Sequence, residues 1–168
     1  VESITPLTIA AGRIVIGAIV MALIAHKMKA KLPQKTSEWI FCALIGFTGN
    51  VIPFFLANWS VQYVHSSLAA ICMSLLPLFT LILAHFMTHD EKFNIHKLIG
   101  VIFGILGVAS LFYGTVTEVD NSLILYLALF GLLLTSFAYA LSGVLIRKLN
   151  NKDPFGTSTA MLIMSSLI

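Results

Sequence analysis

The sequence predicts an all-α membrane protein that crosses the bilayer several times. Of its 168 residues, 58% are hydrophobic and only 10% are charged, and its mean hydropathy is +0.97. These values are outside the range of soluble globular domains. The apolar residues form runs close to the roughly 20 residues that a spanning helix needs, and the basic residues collect in alternate connections between the runs. The same pattern leaves no room for a soluble domain.

Six spans are predicted, separated by short connections. Each is an apolar run that begins and ends near polar or helix-starting residues. In chain order the predicted spans are 6–26, 38–61, 66–88, 95–113, 122–146 and 154–168.

The first span contains one arginine, Arg13, within the otherwise apolar or small stretch TIAAGRIVIGAIV, 8–20. At the helical rise it lies about 10 Å from Pro6, at a depth where a charge is costly in lipid. Two interpretations are open. Arg13 reaches the outer interface or pins neighbouring helix ends through groups such as Asn58, or it faces a cavity and attracts a carboxylate or other anion. It is a substrate-binding candidate on the second interpretation.

The second span has one small and polar face. Residues at spacings of three and four form it: Gly46, Gly49, Asn50, Pro53 and Ala57. A buried amide such as Asn50 needs a partner or a wet cavity, so it either bonds a neighbouring helix or binds substrate. Asn58 and Trp59 are further candidates at the outer end, where Trp59 can equally be an interfacial residue. Pro53 predicts a hinge or kink.

The third span repeats this arrangement with Ser66, Ala70, Ser74 and Pro77 on one face. Pro77 lacks a backbone N–H and clashes with the carbonyl one turn back, so we expect a kink or a wide turn there. The carbonyls that it frees suit either a binding site or an inert packing kink, and Ser74 is a candidate for substrate binding.

The fourth span carries a stripe of glycines at Gly100, Gly104 and Gly107. No polar side chain accompanies the stripe. Small residues at this spacing allow two helices to approach closely, so we predict helix packing there, including contact between two copies of the chain in a homodimer.

The fifth span has a stripe of small and polar residues, Gly131, Thr135, Tyr139 and Ser142, that we expect to face protein or a cavity. Tyr139 and Ser142 are binding candidates, although hydroxyl groups also bond within their own helix.

The sixth span opens with the segment 153–167, which resembles 5–19: each has a turn former, a proline at the first helical position, and then small and apolar residues. Five crossings separate the prolines, so the second copy would be inverted, as in many secondary transporters.

Nine of the ten basic residues lie in alternate connections, and Arg13 is the tenth. They are Lys27, Lys29, Lys31, Lys35, Lys92, Lys97, Arg147, Lys148 and Lys152. Basic residues in short loops remain in the cytoplasm, so the loops 26–37, 89–97 and 147–153 are predicted to be cytoplasmic, in a multi-pass protein of the inner (cytoplasmic) membrane. The net charge of +3 then reflects topology and attraction to anionic lipid, with no support for nucleic-acid binding.

The sequence offers no catalytic, metal or cofactor site. It lacks nucleotide-binding and nucleophile motifs, so we predict that the protein is not an enzyme. His85 and His89 are four residues apart but lack the glutamate of a zinc motif. Cys42 and Cys72 fall in opposite leaflets, too far apart for a disulfide.

One segment resembles a known family. The run ANWSVQYVHSSLAAICMSLLPLFTLILAHFMTHDEKFNIHKLIGVIFGILGV contains a serine pair, an alanine pair, Pro-Leu-Phe in mid-helix, Glu91 and spaced glycines. It resembles the signature of the EamA family in the drug/metabolite transporter superfamily, and Arg13 matches an arginine common near the start of the second helix. The resemblance implies a fragment of a ten-helix transporter made of two inverted five-helix repeats. On this basis 1–120 is the later part of the first repeat, helices two to five, and 121–168 is the beginning of the second, helices six and seven.

The expected function is secondary transport of small metabolites, as an exporter that works by alternating access. We expect a fragment because the sequence begins without Met and ends within an apolar run. The expected partners are a small-molecule substrate and the lipid bilayer. The alternative is a non-transporting membrane assembly or signalling subunit that uses the glycine stripe for helix contacts.

Overall fold

A computed structural model describes residues 5–88, 94–111, 123–149 and 153–167. Within these ranges the regular structure is entirely helical, which confirms the all-α prediction. The elements are α1 (Pro6–Lys27), α2 (Thr36–Gly46), a π turn (Phe47–Val51), α3 (Ile52–Ser60), α4 (Ser66–Met73), α5 (Leu76–Met87), α6 (Ile95–Leu111), α7 (Leu123–Lys148) and α8 (Pro154–Leu167).

The described helices are those of a polytopic membrane protein. Four continuous segments are long and apolar enough to cross a bilayer: Thr8–Lys27, Thr36–Ser60, Ser66–Met87 and Leu123–Lys148. α6 and α8 are apolar but shorter in the described ranges. Residues 112–113, 122 and 168 of the predicted spans lie outside the described residues, as do 89–93 and 150–152 of the predicted loops and His89 with them.

Some predicted boundaries differ from the observed ones by one or two residues. α2 begins at Thr36 rather than 38, where the Glu38 carboxylate accepts the backbone N–H of Gln34 at 3.1 Å. α7 continues to Lys148 rather than 146, because the last helical turn accommodates basic side chains well.

α7 is the central helix of the described bundle. α2–α3 and α4–α5 both pack against it, and buried residues occur along its whole length, from Leu125 to Leu145. One apolar cluster lies around its first half: Val64, Ala69, Cys72, Leu125, Ala128 and Leu132. Another lies around its second half: Cys42, Ile45, Leu145, Ala160 and Met161. The two cysteines are therefore buried in different clusters.

α1 and α8 pack against each other in opposite directions. Near the start of α1, Ala10 shares a small cavity with Ser165, which lies near the end of α8. Near the end of α1, the Met21 carbonyl accepts the hydroxyl of Thr159, early in α8, at 3.3 Å. Both helices carry proline in their first turn, and both have a capping side chain, Thr5 for α1 and Asp153 for α8.

Asp153 joins two of the predicted cytoplasmic loops at one end of the bundle. Its Oδ2 accepts the backbone N–H of Lys31 at 2.7 Å, and its Oδ1 accepts those of Phe155 and Gly156 at 3.1 Å each. The bonds from Lys31 and then Gly156 hold the pKa of the Asp153 carboxyl below its ordinary value, because they favour the ionised form. Asp153 therefore caps α8 and also anchors the α1–α2 connection.

Replacing Asp153 with alanine is expected to lower the unfolding temperature by a few degrees at neutral pH. Since the pKa is depressed in the folded protein, the stabilisation is fully present above the unfolded-state pKa of about 3.9. It is lost as the pH falls through the folded-state value. Thermal unfolding of wild type and variant from pH 7 downwards should show the two curves converging in acid. A difference that stays constant with pH would contradict this linkage.

Candidate substrate site

The span Thr36–Ser60 widens into a π turn at its middle. The backbone N–H of Ile52 donates to the carbonyl of Phe47, five residues back, and Pro53 follows at once. Proline removes one helical hydrogen bond and crowds the carbonyl four residues earlier, which the wider turn accommodates. π turns within α-helices are frequent at functional sites.

Two glycines allow α7 and α8 to approach this turn closely. A Cβ at Gly46 would lie 2.5 Å from Ser165 Oγ and 2.6 Å from the Met161 carbonyl oxygen on α8. A Cβ at Gly49 would lie 2.8 Å from both Cβ and Oγ of Ser142 on α7. Two helices therefore converge on this part of the span, α8 at a backbone carbonyl and α7 at the Ser142 side chain.

Polar groups line this convergence. Asn50 Nδ2 donates to Ser165 Oγ at 3.2 Å, and Ser165 Oγ donates in turn to the Met161 carbonyl at 2.7 Å. Ser142 is buried and donates to the Tyr139 carbonyl of its own helix at 2.9 Å. We name this group the polar junction: Asn50, Ser142 and Ser165. It joins α8 to the π turn through side chains that can exchange hydrogen-bond partners without breaking a helix.

Arg13 lies at the edge of the same region, in a cluster with two aromatic rings that we name the arginine–aromatic cluster: Arg13, Phe54 and Tyr139. The guanidinium carbon is 4.6 Å from the centroid of the Phe54 ring, within cation–π range. Phe54 meets Tyr139 edge to face at 6.5 Å, so α1, α3 and α7 each contribute one member. A stacked guanidinium keeps its N–H groups in its own plane, where they can bind a planar anion.

Asn58 follows Phe54 by one helical turn. Its Nδ2 is buried and has no hydrogen-bond partner among the described residues. Ser60 Oγ is also buried without a hydrogen-bond partner among the described residues. It lies against Gly131, where a Cβ would be only 2.6 Å from it. Buried orphan donors are costly, so the Asn58 amide is a group that a substrate could satisfy.

The remaining candidates lie away from the π turn. Trp59 packs near Gly131 and against Tyr63, with ring centroids 5.3 Å apart. Ser74 donates to the carbonyl of Ile71 in its own helix at 2.7 Å. It occupies the break between α4 and α5, and Pro77 lies in the first turn of α5.

Sequence reasoning missed Phe54 and Ser165. Phe54 lies four residues after Asn50 and four before Asn58, a spacing that could have placed it on the polar face. Ser165 carries no such signal, since it is one of two adjacent serines in an apolar helix. Only the packing of α8 on Gly46 selects it.

A cavity of about 140 Å³ lies between α1, α3 and α8, beside Ser165. Pockets for small molecules usually measure about 300 Å³ or more, so this cavity does not hold a metabolite in the described conformation. Among the described residues no group of three or more His, Cys, Asp or Glu side chains is arranged to hold a metal ion. The described residues thus form one polar wall around the π turn.

Comparisons with known proteins identify one matching family and two relatives named as transporters. The profile of the EamA-like transporter family matches residues 1–113. The chain is 26% identical over 137 residues to the Bacillus subtilis (strain 168) protein named "Uncharacterized transporter YoaV", covering 78% of this chain and 43% of that protein. It is 26% identical over 146 residues to "Uncharacterized transporter YdfC" of the same organism, covering 86% of this chain and 40% of that protein. The chain thus spans less than half the length of these relatives. No solved structure matches it significantly.

Proposed function

The chain belongs to the EamA-like transporter family, and we propose that the protein containing it is a secondary transporter that exports small metabolites by alternating access. The observation that carries this proposal is the polar junction at the π turn, where Gly46 and Gly49 bring α8 and α7 against one widened part of the span. π turns within α-helices are frequent at functional sites, and substrate sites of secondary transporters lie near the bilayer midplane. A scaffold has no need of polar groups at that depth, which are costly in lipid.

The arrangement of α1 and α8 supports an inverted repeat. The two helices start alike, each with a capping side chain and a proline in its first turn, and they pack in opposite directions. Two elements related by a two-fold axis in the membrane plane would meet in this way. In the proposal, α8 moves relative to α2 and the π turn, and the Asn50–Ser165 hydrogen bond is made in one state and broken in the other.

The proposed substrate contacts are the arginine–aromatic cluster, Asn50 and Asn58, with Ser142 at the base of the π turn. Ser74 and Trp59 stay candidates only as parts of the neighbouring walls. In the proposed orientation the protein lies in the inner (cytoplasmic) membrane, and the α1–α2 connection and Asp153 are on its cytoplasmic side. In support, the two basic connections meet at one end of the bundle through Asp153 and Lys31.

A thermal-unfolding screen of the purified full-length protein tests the function. The panel of ligands contains amino acids, nucleosides, sugars, polyamines and organic acids. For each ligand the unfolding temperatures of wild type and of Asn50→Ala are measured in parallel. At ten times its dissociation constant a ligand adds about 1.4 kcal/mol to the free energy of unfolding. We expect one chemical class to raise the unfolding temperature saturably in wild type and much less in the variant.

A ligand of the chemical class that raises the unfolding temperature is then loaded into proteoliposomes. Counterflow of a labelled ligand of the same class measures transport. Counterflow that depends on the protein supports the proposal. A panel without any shift at high millimolar concentration, together with no counterflow, would favour the alternative function.

That alternative, a non-transporting membrane assembly subunit, has one observation in its favour. The glycine stripe of α6 is open: a Cβ at Gly100, Gly104 or Gly107 would meet no described atom within 4 Å. Such a surface suits a helix of a second copy or of another chain. A homodimer formed there is compatible with transport as well, so the stripe alone does not separate the two functions.

A further inference from the structure

A second cavity, of about 510 Å³, lies at the other end of the α1–α8 contact. Ala22, Ala25 and Ile163 line its apolar part, and His26 and Lys29 line the part at the end of α1, which we name the rim. Thr159 also lines it, but its hydroxyl hydrogen is engaged by carbonyls of α1 and α8. The cavity is several times larger than the one beside Ser165, and it is cationic where that one is apolar.

Lys29 is held over this cavity by a strained backbone. The N–H of Lys29 donates to the His26 carbonyl at 3.2 Å, and that of Ala30 donates to the Ala25 carbonyl at 2.9 Å. This is the Schellman ending of a helix, whose left-handed position is usually glycine. Lys29 occupies it with φ of 54°, at a cost of about 1 kcal/mol relative to glycine. A non-glycine residue at such a strained position points to a role for its side chain.

Lys29 has no carboxylate beside it in the cavity. Among the described residues that line it, none is Asp or Glu. Asp153, on the same end of the bundle, already accepts three backbone N–H groups. The rim therefore retains positive charge that an anion can neutralise, and Lys27, Lys31 and Lys35 in the same connection add to the field.

We propose that this cavity binds an anionic phospholipid of the cytoplasmic leaflet, with the phosphate between His26 and Lys29 and an acyl chain along Ala22 and Ile163. The chemistry fits an amphiphile because one side is cationic and the other apolar, and the cavity opens where α1 meets the predicted cytoplasmic interface. Basic pockets between helices on this side attract anionic headgroups. The inference depends on the predicted orientation but not on whether the protein transports a substrate.

The test compares phosphatidylglycerol with phosphatidylcholine of identical acyl chains, added to the purified full-length protein in detergent. We expect phosphatidylglycerol to raise the unfolding temperature by about 3 °C more than phosphatidylcholine. Lys29→Gly should abolish this difference, and His26→Gln should reduce it. Glycine relieves the left-handed backbone, so Lys29→Gly keeps the fold, and its own unfolding temperature without lipid should equal or exceed that of wild type.

Lys35→Gln is the matched control, because it removes one charge from the same connection without lining the cavity. It should keep most of the phosphatidylglycerol effect. The proposal is overturned if the two lipids act equally, if Lys29→Gly retains the effect, or if Lys35→Gln loses as much of it as Lys29→Gly does. It is also overturned if inorganic phosphate reproduces the shift, since that result would assign the site to a soluble anion.

Discussion

Replacement of Gly46 by alanine is expected to lower the free energy of unfolding by about 2 kcal/mol. The new methyl group would lie 2.5 Å from Ser165 Oγ and 2.6 Å from the Met161 carbonyl oxygen. The serine can rotate, but the carbonyl belongs to the backbone of α8 and moves only with the helix. Overpacking of this kind costs about 3 kcal/mol, and the better helix propensity of alanine returns about 1 kcal/mol.

Gly143→Ala is the control for the Gly46 substitution. Gly143 is also inside a helix, but a Cβ there would meet nothing within 4 Å, so only the gain in helix propensity applies. Thermal unfolding in one detergent should therefore show Gly46→Ala below wild type by about 5 °C, with Gly143→Ala equal to wild type or above it. An unchanged unfolding temperature for Gly46→Ala would mean that α2 and α8 do not touch at this glycine.

The same substitution also bears on the substrate site. Pushing α8 away from Gly46 would lengthen the hydrogen bond between Asn50 and Ser165, which now measures 3.2 Å. A variant that still folds should therefore bind substrate differently from wild type, whereas Gly143→Ala should not. Gly46→Ala would then change both stability and substrate binding, and Gly143→Ala would weaken neither.

The order of the described helices and four of the six spans could be predicted because each follows from local chemistry. Apolar runs specify the spans, and Pro77 marks the break between α4 and α5. The polar face through Asn50 was also visible, since helical spacing places its members together. Pro53 indicated a distorted helix, but a π turn rather than a kink depends on how closely α7 and α8 approach Gly46 and Gly49, and that is a tertiary property.

The partners of the candidate residues could not be predicted for the same reason. Phe54 and Ser165 are ordinary residues of apolar helices until α1, α7 and α8 are placed beside them. Ser74 is a candidate by spacing and stays one, and its hydroxyl donates within its own helix as that of Ser142 does. That Asn50 and Arg13 bind substrate stays a prediction, which the Asn50→Ala and Arg13→Lys variants test.

Arg13→Lys is expected to weaken transport or binding of a carboxylate substrate about tenfold, if the screen identifies one. Lysine keeps the charge but loses the planar fork that can hold both carboxylate oxygens. Losing one of two charge-assisted hydrogen bonds costs about 1.5 kcal/mol, which corresponds to about a tenfold change in the dissociation constant. Lysine also stacks less well on Phe54, whose ring now lies 4.6 Å from the guanidinium carbon.

The carboxamide analogue of the same substrate separates a direct role of Arg13 from a structural one. An amide offers no second anionic oxygen, so its weaker binding should be nearly equal in wild type and Arg13→Lys. If Arg13 instead pins helix ends, both ligands should lose affinity by the same factor and the unfolding temperature should fall. Unchanged carboxylate flux at normal expression would exclude the binding role. Glu38, the one acidic residue in the described membrane helices, lies in the first turn of α2, at the opposite end from the entry of α1. Within the described membrane helices, Glu38 is therefore not placed to neutralise Arg13.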